Sequence, residues 1–225
     1  MIVRISYPVT PDTPLYPGTP PPAMKNHRSM VSGDISNHSL AGFSLHSGTH
    51  IDAPRHFCPE GSTVRDLLRP ENSYYPSYCL DIPCGPDQCI TQRDLDSINH
   101  APFRDAQAIL IRTGLSRIRA TSPMDYAQKN PVIDPGIVTF LRTAYPSLLL
   151  FGIDAISVAN HLHKEEGRAC HREFLCRDPP VLILEDADLS DKRLGHEPFT
   201  LMLYPFFMDE TEATPVVAIA QLKDG

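Results

Sequence analysis

Between residues 46 and 57 the chain reads HSGTHIDAPRHF, placing His46, His50 and His56 around Asp52. Imidazole nitrogen and carboxylate oxygen together are a donor set for a divalent metal ion, and imidazole also moves protons near neutral pH. A hydrogen-bonded cluster without an ion is the plain alternative. A helix would put positions 46 and 50 on one face, but Gly48, the β-branched Thr49 and Ile51, and Pro54 speak against one. In an extended chain residues 46, 50, 52 and 56 share parity and face one side. A flat strand would still separate His46 from His50 by about 13 Å at about 3.3 Å per residue, whereas metal–nitrogen bonds are about 2.0–2.1 Å long. The chain must bend between them, and Gly48, which tolerates positive φ, permits it. Asp52 then adds a hard anionic oxygen, a set that suits Zn²⁺ or Mn²⁺ and leaves a position for water. His56 lies beyond Pro54, whose fixed φ turns the chain. It is not needed as a further ligand and is placed to serve as general acid/base.

Other residues carry weaker signals. Glu185 ends the apolar run VLILE, where an acid is costly to bury without a cation or donors; a rim carboxylate facing water is the alternative. His171 opens an apparent helix, HREFLC, and could stand beside a cap. HLHKEE (161–166) has metal-binding residue types, but its short His163-to-Glu166 spacing predicts a solvated, mobile loop instead. His27, His38, His100 and His196 stand alone and are expected at the surface or as capped residues. Arg112, inside an apolar strand, is expected in a structural ion pair.

The elements that must position these groups read as many short strands. MIVRISYPV is a strand, TPDTPLYPGTPPP forbids regular structure, and residues 27–47 alternate as a strand pair. STVRDLL suggests a short helix capped by Ser62 or Thr63, SYCLDIP a strand, and Thr91 with Asp94 a helix start. AQAILIRTG, SLLLFGIDA and PPVLILEDAD are buried strands, Asp134-Pro135 opens a helix to about residue 143, and FTLMLYPFFM with PVVAIAQL closes the sheet. No repeat or linker divides the chain, so residues 1–225 read as one mixed α/β domain, rich in strands. Net charge is −7, which disfavours nucleic acid or an anionic membrane as partner. No run of eighteen apolar residues is present, and prolines stand where a signal peptide would be apolar, so a cytoplasmic protein is expected. The six cysteines (58, 79, 84, 89, 170, 176) contain no C-x-x-C and are expected as free thiols; Cys84 and Cys89, flanking a Gly-Pro turn, form the one pair that could join in an oxidising setting.

The segment from His46 to His56 resembles, at every fixed position, the signature H-x-G-T-H-x-D-x-P-x-H of the cyclase family, which includes bacterial-type kynurenine formamidases and isatin hydrolases. PDTPLYPG (11–18), ILIRTG (109–114), GIDAISV (152–158), HREFL (171–175) and LILEDADL (182–189) are similar to further family segments. The resemblance implies a swivelling β/β/α fold, with a mixed barrel-like sheet flanked by a few helices. It also implies a metal-dependent hydrolase of a small non-peptide amide, in the arylformamidase manner: N-formylkynurenine plus water to kynurenine plus formate. His46, His50 and Asp52 would hold one ion; His171 and Glu185 would hold a second, with Asp52 and Glu185 able to bridge. His56 would be the catalytic histidine, and Tyr16 would line the substrate pocket. One or two Zn²⁺ ions are implied, with Mn²⁺ as the alternative, in a homodimer or homotetramer whose neighbouring subunit can close the pocket. Two features depart from the formamidase pattern: the chain has no tryptophan for the pocket, and the interval from His171 to Glu185 is slightly longer. Opening of an isatin-like lactam at a Mn²⁺ centre, or a non-catalytic metal-dependent binding protein, are the other readings.

Overall fold

The computed structural model describes residues 1–67, 71–195, 197–206 and 208–223; His196 lies outside them. In chain order the strands are β1 (Ile2–Arg4), β2 (Ala23–Arg28), β3 (His38–Gly42), β4 (His50–Asp52), β5 (Ser73–Asp81), β6 (Cys89–Ile90), β7 (Ala108–Arg112), β8 (Val132–Ile133), β9 (Leu150–Ile153), β10 (Leu182–Glu185), β11 (Phe199–Pro205) and β12 (Ala213–Leu222). The helices are α1 (Val64–Leu67), α2 (Gln92–Leu95), α3 (Ser116–Arg119), α4 (Pro123–Gln128), α5 (Gly136–Ala144) and α6 (Lys164–Leu175).

The principal sheet runs β12-β11-β5-β7-β9-β10-β4, and β4 then pairs back onto β12. Seven strands therefore close into a barrel-like ring. The long β12 makes this possible: β11 takes one edge, while β4 and β1 share the other, at positions 213–215 and 219–221. Strands β5, β7, β9 and β10 are parallel neighbours, which explains the unbroken apolar runs AILIR, LFGI and LILE: both faces are covered. Alternate residues separate cleanly. Ala108 and Leu110 face an inner cluster with Ile51, Leu184 and Leu201, whereas Ile109 and Ile111 pack outward against α5 and α6 through Leu141, Cys170 and Phe174. Gly152 in β9 is required by this packing, since a Cβ there would come within 2.3 Å of Leu110. The mixed, strand-rich, barrel-like domain expected from the sequence is the architecture observed.

Several local readings hold. Thr91 and Asp94 form a reciprocal capping box on α2, and Arg112 pairs with Asp81. Others are corrected. HLHKEE is a loop only over residues 161–163: α6 begins at Lys164, and His171 stands in its second half rather than at its start. The six cysteines are not all free. Cys58 and Cys176 form a disulfide, whereas Cys79, Cys84, Cys89 and Cys170 are thiols. The pair is invisible in sequence because its members lie 118 positions apart. His27 and His38 are at the surface as expected, facing each other across the separate β2–β3 ribbon, and His100 is bonded to the Tyr145 hydroxyl. No described helix is long and apolar enough to cross a membrane.

Candidate metal centre

The three residues of β4 are fully enclosed because they pair on both sides, with β10 and β12. Their register sets Glu185 opposite His50. Ahead of β4 the chain bends at Gly48, whose φ is +70°, and a Cβ there would press on Val9 at 3.1 Å. The bend brings the His46 ring to 5.0 Å from the His50 ring and 4.3 Å from the His56 ring. Beyond β4, Pro54 starts a single 3-10 turn, and the His56 N–H donates to the carbonyl of Ala53. Helix α6 supplies His171 from the opposite side, with Phe57 stacked on its ring at 4.5 Å.

The result is two carboxylates surrounded by imidazoles. His50 Nε2 lies 3.5 Å from both Asp52 and Glu185; His171 Nε2 lies 3.7 Å from Asp52 and 3.6 Å from Glu185; His46 Nδ1 lies 3.0 Å from Asp52. Donor atoms of His50, Asp52 and Glu185 fall within 4.8 Å of one another, and so do those of His46, Asp52 and His56. The His50 and His171 Nδ1 atoms each contact a backbone carbonyl, of Gly48 and Gly167, at 2.8 Å. A carbonyl only accepts, so Nδ1 carries the proton and each Nε2 is left to face the centre. Glu185 Oε1 accepts from the Ser157 hydroxyl and the Val158 N–H. Both oxygens of Asp52 and Nε2 of His50, all buried, have no aligned hydrogen-bond partner. Buried polar atoms seldom go unmet, and one divalent cation would satisfy all three. The donor set therefore fits a metal ion.

The buried carboxylates and imidazoles also shift one another's titration. Burial favours neutral histidine, yet the Asp52 and Glu185 carboxylates outweigh it and raise His50 to about 9 and His171 to about 10. Burial and the Asp52 charge favour the acid form of Glu185, but His171 and His50 bring it down to about 2. Asp52, despite its burial, is held well below the usual carboxylate range by His46, His171 and His50. His56 differs: burial keeps its pKa below the ordinary value, so it is a neutral proton acceptor beside the cluster.

A cavity of about 430 Å³ opens onto the cluster. Tyr16 and Phe57 line it as aromatic walls, and Lys164 and Arg168, one turn apart on α6, stand at its mouth. All seven site residues picked out by sequence, Tyr16 included, meet here. Sequence reasoning missed Ser157, Lys164, Arg168, and Glu212, which approaches His46 Nε2 at 3.5 Å. Arg168 follows from helical spacing once α6 is known, since positions 164, 168 and 171 share a face; nothing local marks Glu212.

This fold and this cluster define a family. Residues 3–160 match the family described as putative cyclase, and the chain belongs to it. Among its relatives, the kynurenine formamidase of Bacillus cytotoxicus is 28% identical over 221 residues, covering 96% of this chain and 95% of the relative. That of Geobacillus thermodenitrificans is 29% identical, covering 91% and 90%. The fold is shared with an isatin hydrolase bound to the product analogue thioisatinate, at a TM-score of 0.80 and 18% identity over 99% of this chain and 92% of that one.

Proposed function

We propose that the chain is a metal-dependent hydrolase acting on a carbon–nitrogen bond of a small non-peptide amide, with N-formylkynurenine as substrate and kynurenine and formate as products. The observation that carries this reading is the set of buried, unpartnered donor atoms on His50 and Asp52, in a cluster whose His50, His171 and Glu185 line an open cavity. The full-length formamidase relatives support the amide, and the two cations at the mouth suit a substrate that bears a carboxylate.

In this reading His46, His50 and Asp52 would hold one Zn²⁺ and His171 with Glu185 a second; Mn²⁺ suits the same oxygen and nitrogen donors. Such an ion supplies Lewis acidity toward a carbonyl and a more acidic water. The rest falls to the chain. Tyr16 and Phe57 clamp the aryl ring, and Phe57 shields the His171 side of the cluster from bulk water. His56 takes the proton from the attacking water and delivers it to the departing nitrogen, a role that its lowered pKa favours. Removing metal and reloading with Zn²⁺ or Mn²⁺ tests the assignment. Turnover of N-formylkynurenine should return with the ion and fall by about 10²–10⁴-fold in His56→Ala, with metal retained. Metal uptake without turnover would reject the formamide and turn the search to lactams; uptake with no turnover of any amide, ester or lactam would favour a binding protein.

A homodimer or homotetramer belongs to the same proposal. All residues of β2 and β3 are exposed, and an unsupported two-stranded ribbon is marginal in water. Met24, Met30, Val31, Ile35 and Leu40 add an apolar surface there. A monomer in sedimentation would remove this part.

A further inference from the structure

Immediately after Glu185 the chain takes a conformation that the metal donors do not require. Asp186 has a φ of +52°, in the left-handed region where a residue with a Cβ is uncommon, and it is wholly buried. Its carboxylate accepts from Arg119 Nε at 2.7 Å, Arg119 Nη2 at 2.6 Å and the Tyr126 hydroxyl at 2.6 Å. Its N–H donates to the Ala155 carbonyl, and its carbonyl accepts from the Thr49 hydroxyl. Thr49 Oγ1 in turn accepts the Tyr7 N–H at 3.0 Å, and the Arg119 guanidinium lies over the Tyr7 ring, 3.8 Å from its centroid.

The placement is specific. Thr49 directly precedes His50 and Asp186 directly follows Glu185, while His50 and Glu185 are opposite each other in the β4–β10 pair. One buried clasp therefore joins the residue before one donor to the residue after the other. Neither Arg119 nor Asp186 borders the cavity. We infer that Arg119 is a positioning residue, whose forked grip on Asp186 holds the Glu185 carboxylate and the His50 imidazole at metal-binding separation. The inference rests on the proposal that the centre holds a metal ion. Lysine cannot reproduce the grip, because a single ammonium lacks the paired, planar donors of guanidinium.

The test compares Arg119→Lys with Arg65→Lys, which alters the exposed ion pair with Asp209, on the intact chain with Zn²⁺ and Co²⁺ as probes. Metal affinity, the visible spectrum of bound Co²⁺, and the separate kcat and KM values are read for each. Arg119→Lys should weaken metal binding by about 10- to 100-fold, alter the Co²⁺ spectrum and lower kcat with KM little changed; Arg65→Lys should leave all four as in the parent. Should Arg119→Lys fail to fold, Asp186→Asn takes its place, with the same expectation. Parent-like affinity and spectrum in a folded variant would overturn the inference while leaving the metal centre standing. A parent protein that binds neither ion would overturn both, so the two failures are distinguishable.

Discussion

Asp52 and Asp186 are both aspartates and both wholly buried, yet their surroundings are opposite. Asp186 meets three good donors from Arg119 and Tyr126. Next to Glu185, Asp52 is equally buried and meets no aligned donor at all. A buried charge with all its hydrogen bonds made holds structure together; one left without donors is held for something that arrives from outside. The distinction separates scaffold from centre more sharply than burial or residue type, since both clusters are rich in carboxylates.

The largest effect that could break this contrast is at Asp52. Asp52→Ala should abolish metal uptake and turnover together, as read by metal analysis and steady-state rates; a variant that keeps both would make Asp52 another structural acid. Next comes Arg119→Met, which leaves Asp186 buried with Tyr126 as its remaining side-chain donor. It should cost about 3–5 kcal/mol in denaturant unfolding, and a loss near zero would mean that the clasp is not structural. The smallest effect sharpens the contrast through pH. In protein stripped of metal, His50 and His171 are raised to about 9 and about 10 from 6.5, so their stabilising contribution is full below pH 6.5 and fades as pH rises through those values. Glu185, lowered to about 2 from 4.5, contributes above pH 4.5 and loses this as pH falls toward 2. Stripped protein should therefore melt higher at about pH 5.5 than at about pH 9.5. An ion needs neutral imidazoles, so the gap in Tm between loaded and stripped protein should widen over the same interval. A gap that narrows would show that protons do not compete with metal here.

Much of the centre was legible in the sequence because its constraints are local. Parity placed His50 and Asp52 on one face of β4, while His46 and His56 reach the site through the bend and the 3-10 turn that flank the strand; the distance between His46 and His50 demanded that bend, and Gly48 does take positive φ. Glu185 stood out as an acid closing an apolar strand. Long-range relations were hidden. Arg119 and Asp186 are 67 positions apart, and no periodic pattern links them. The beginning of α6 was obscured by Gly167, a poor helix former. The fold explains that glycine: a Cβ there would lie 2.5 Å from Ala159, so close packing of helix on loop overrides propensity. The Cys58–Cys176 pairing joins positions 118 apart and leaves no local mark in the sequence.

That disulfide bears on how the molecule breathes. Cys58 closes the turn that carries His56, its N–H bonded to Pro54, and Cys176 caps the helix that carries His171, its N–H bonded to Arg172. A local opening that lifts the turn pulls on the end of α6 through the disulfide, so the two segments, remote in sequence, are expected to exchange their amide hydrogens together. The covalent link makes the proton-transfer side and the helix side of the centre a single piece of the native-state landscape, opened together or not at all.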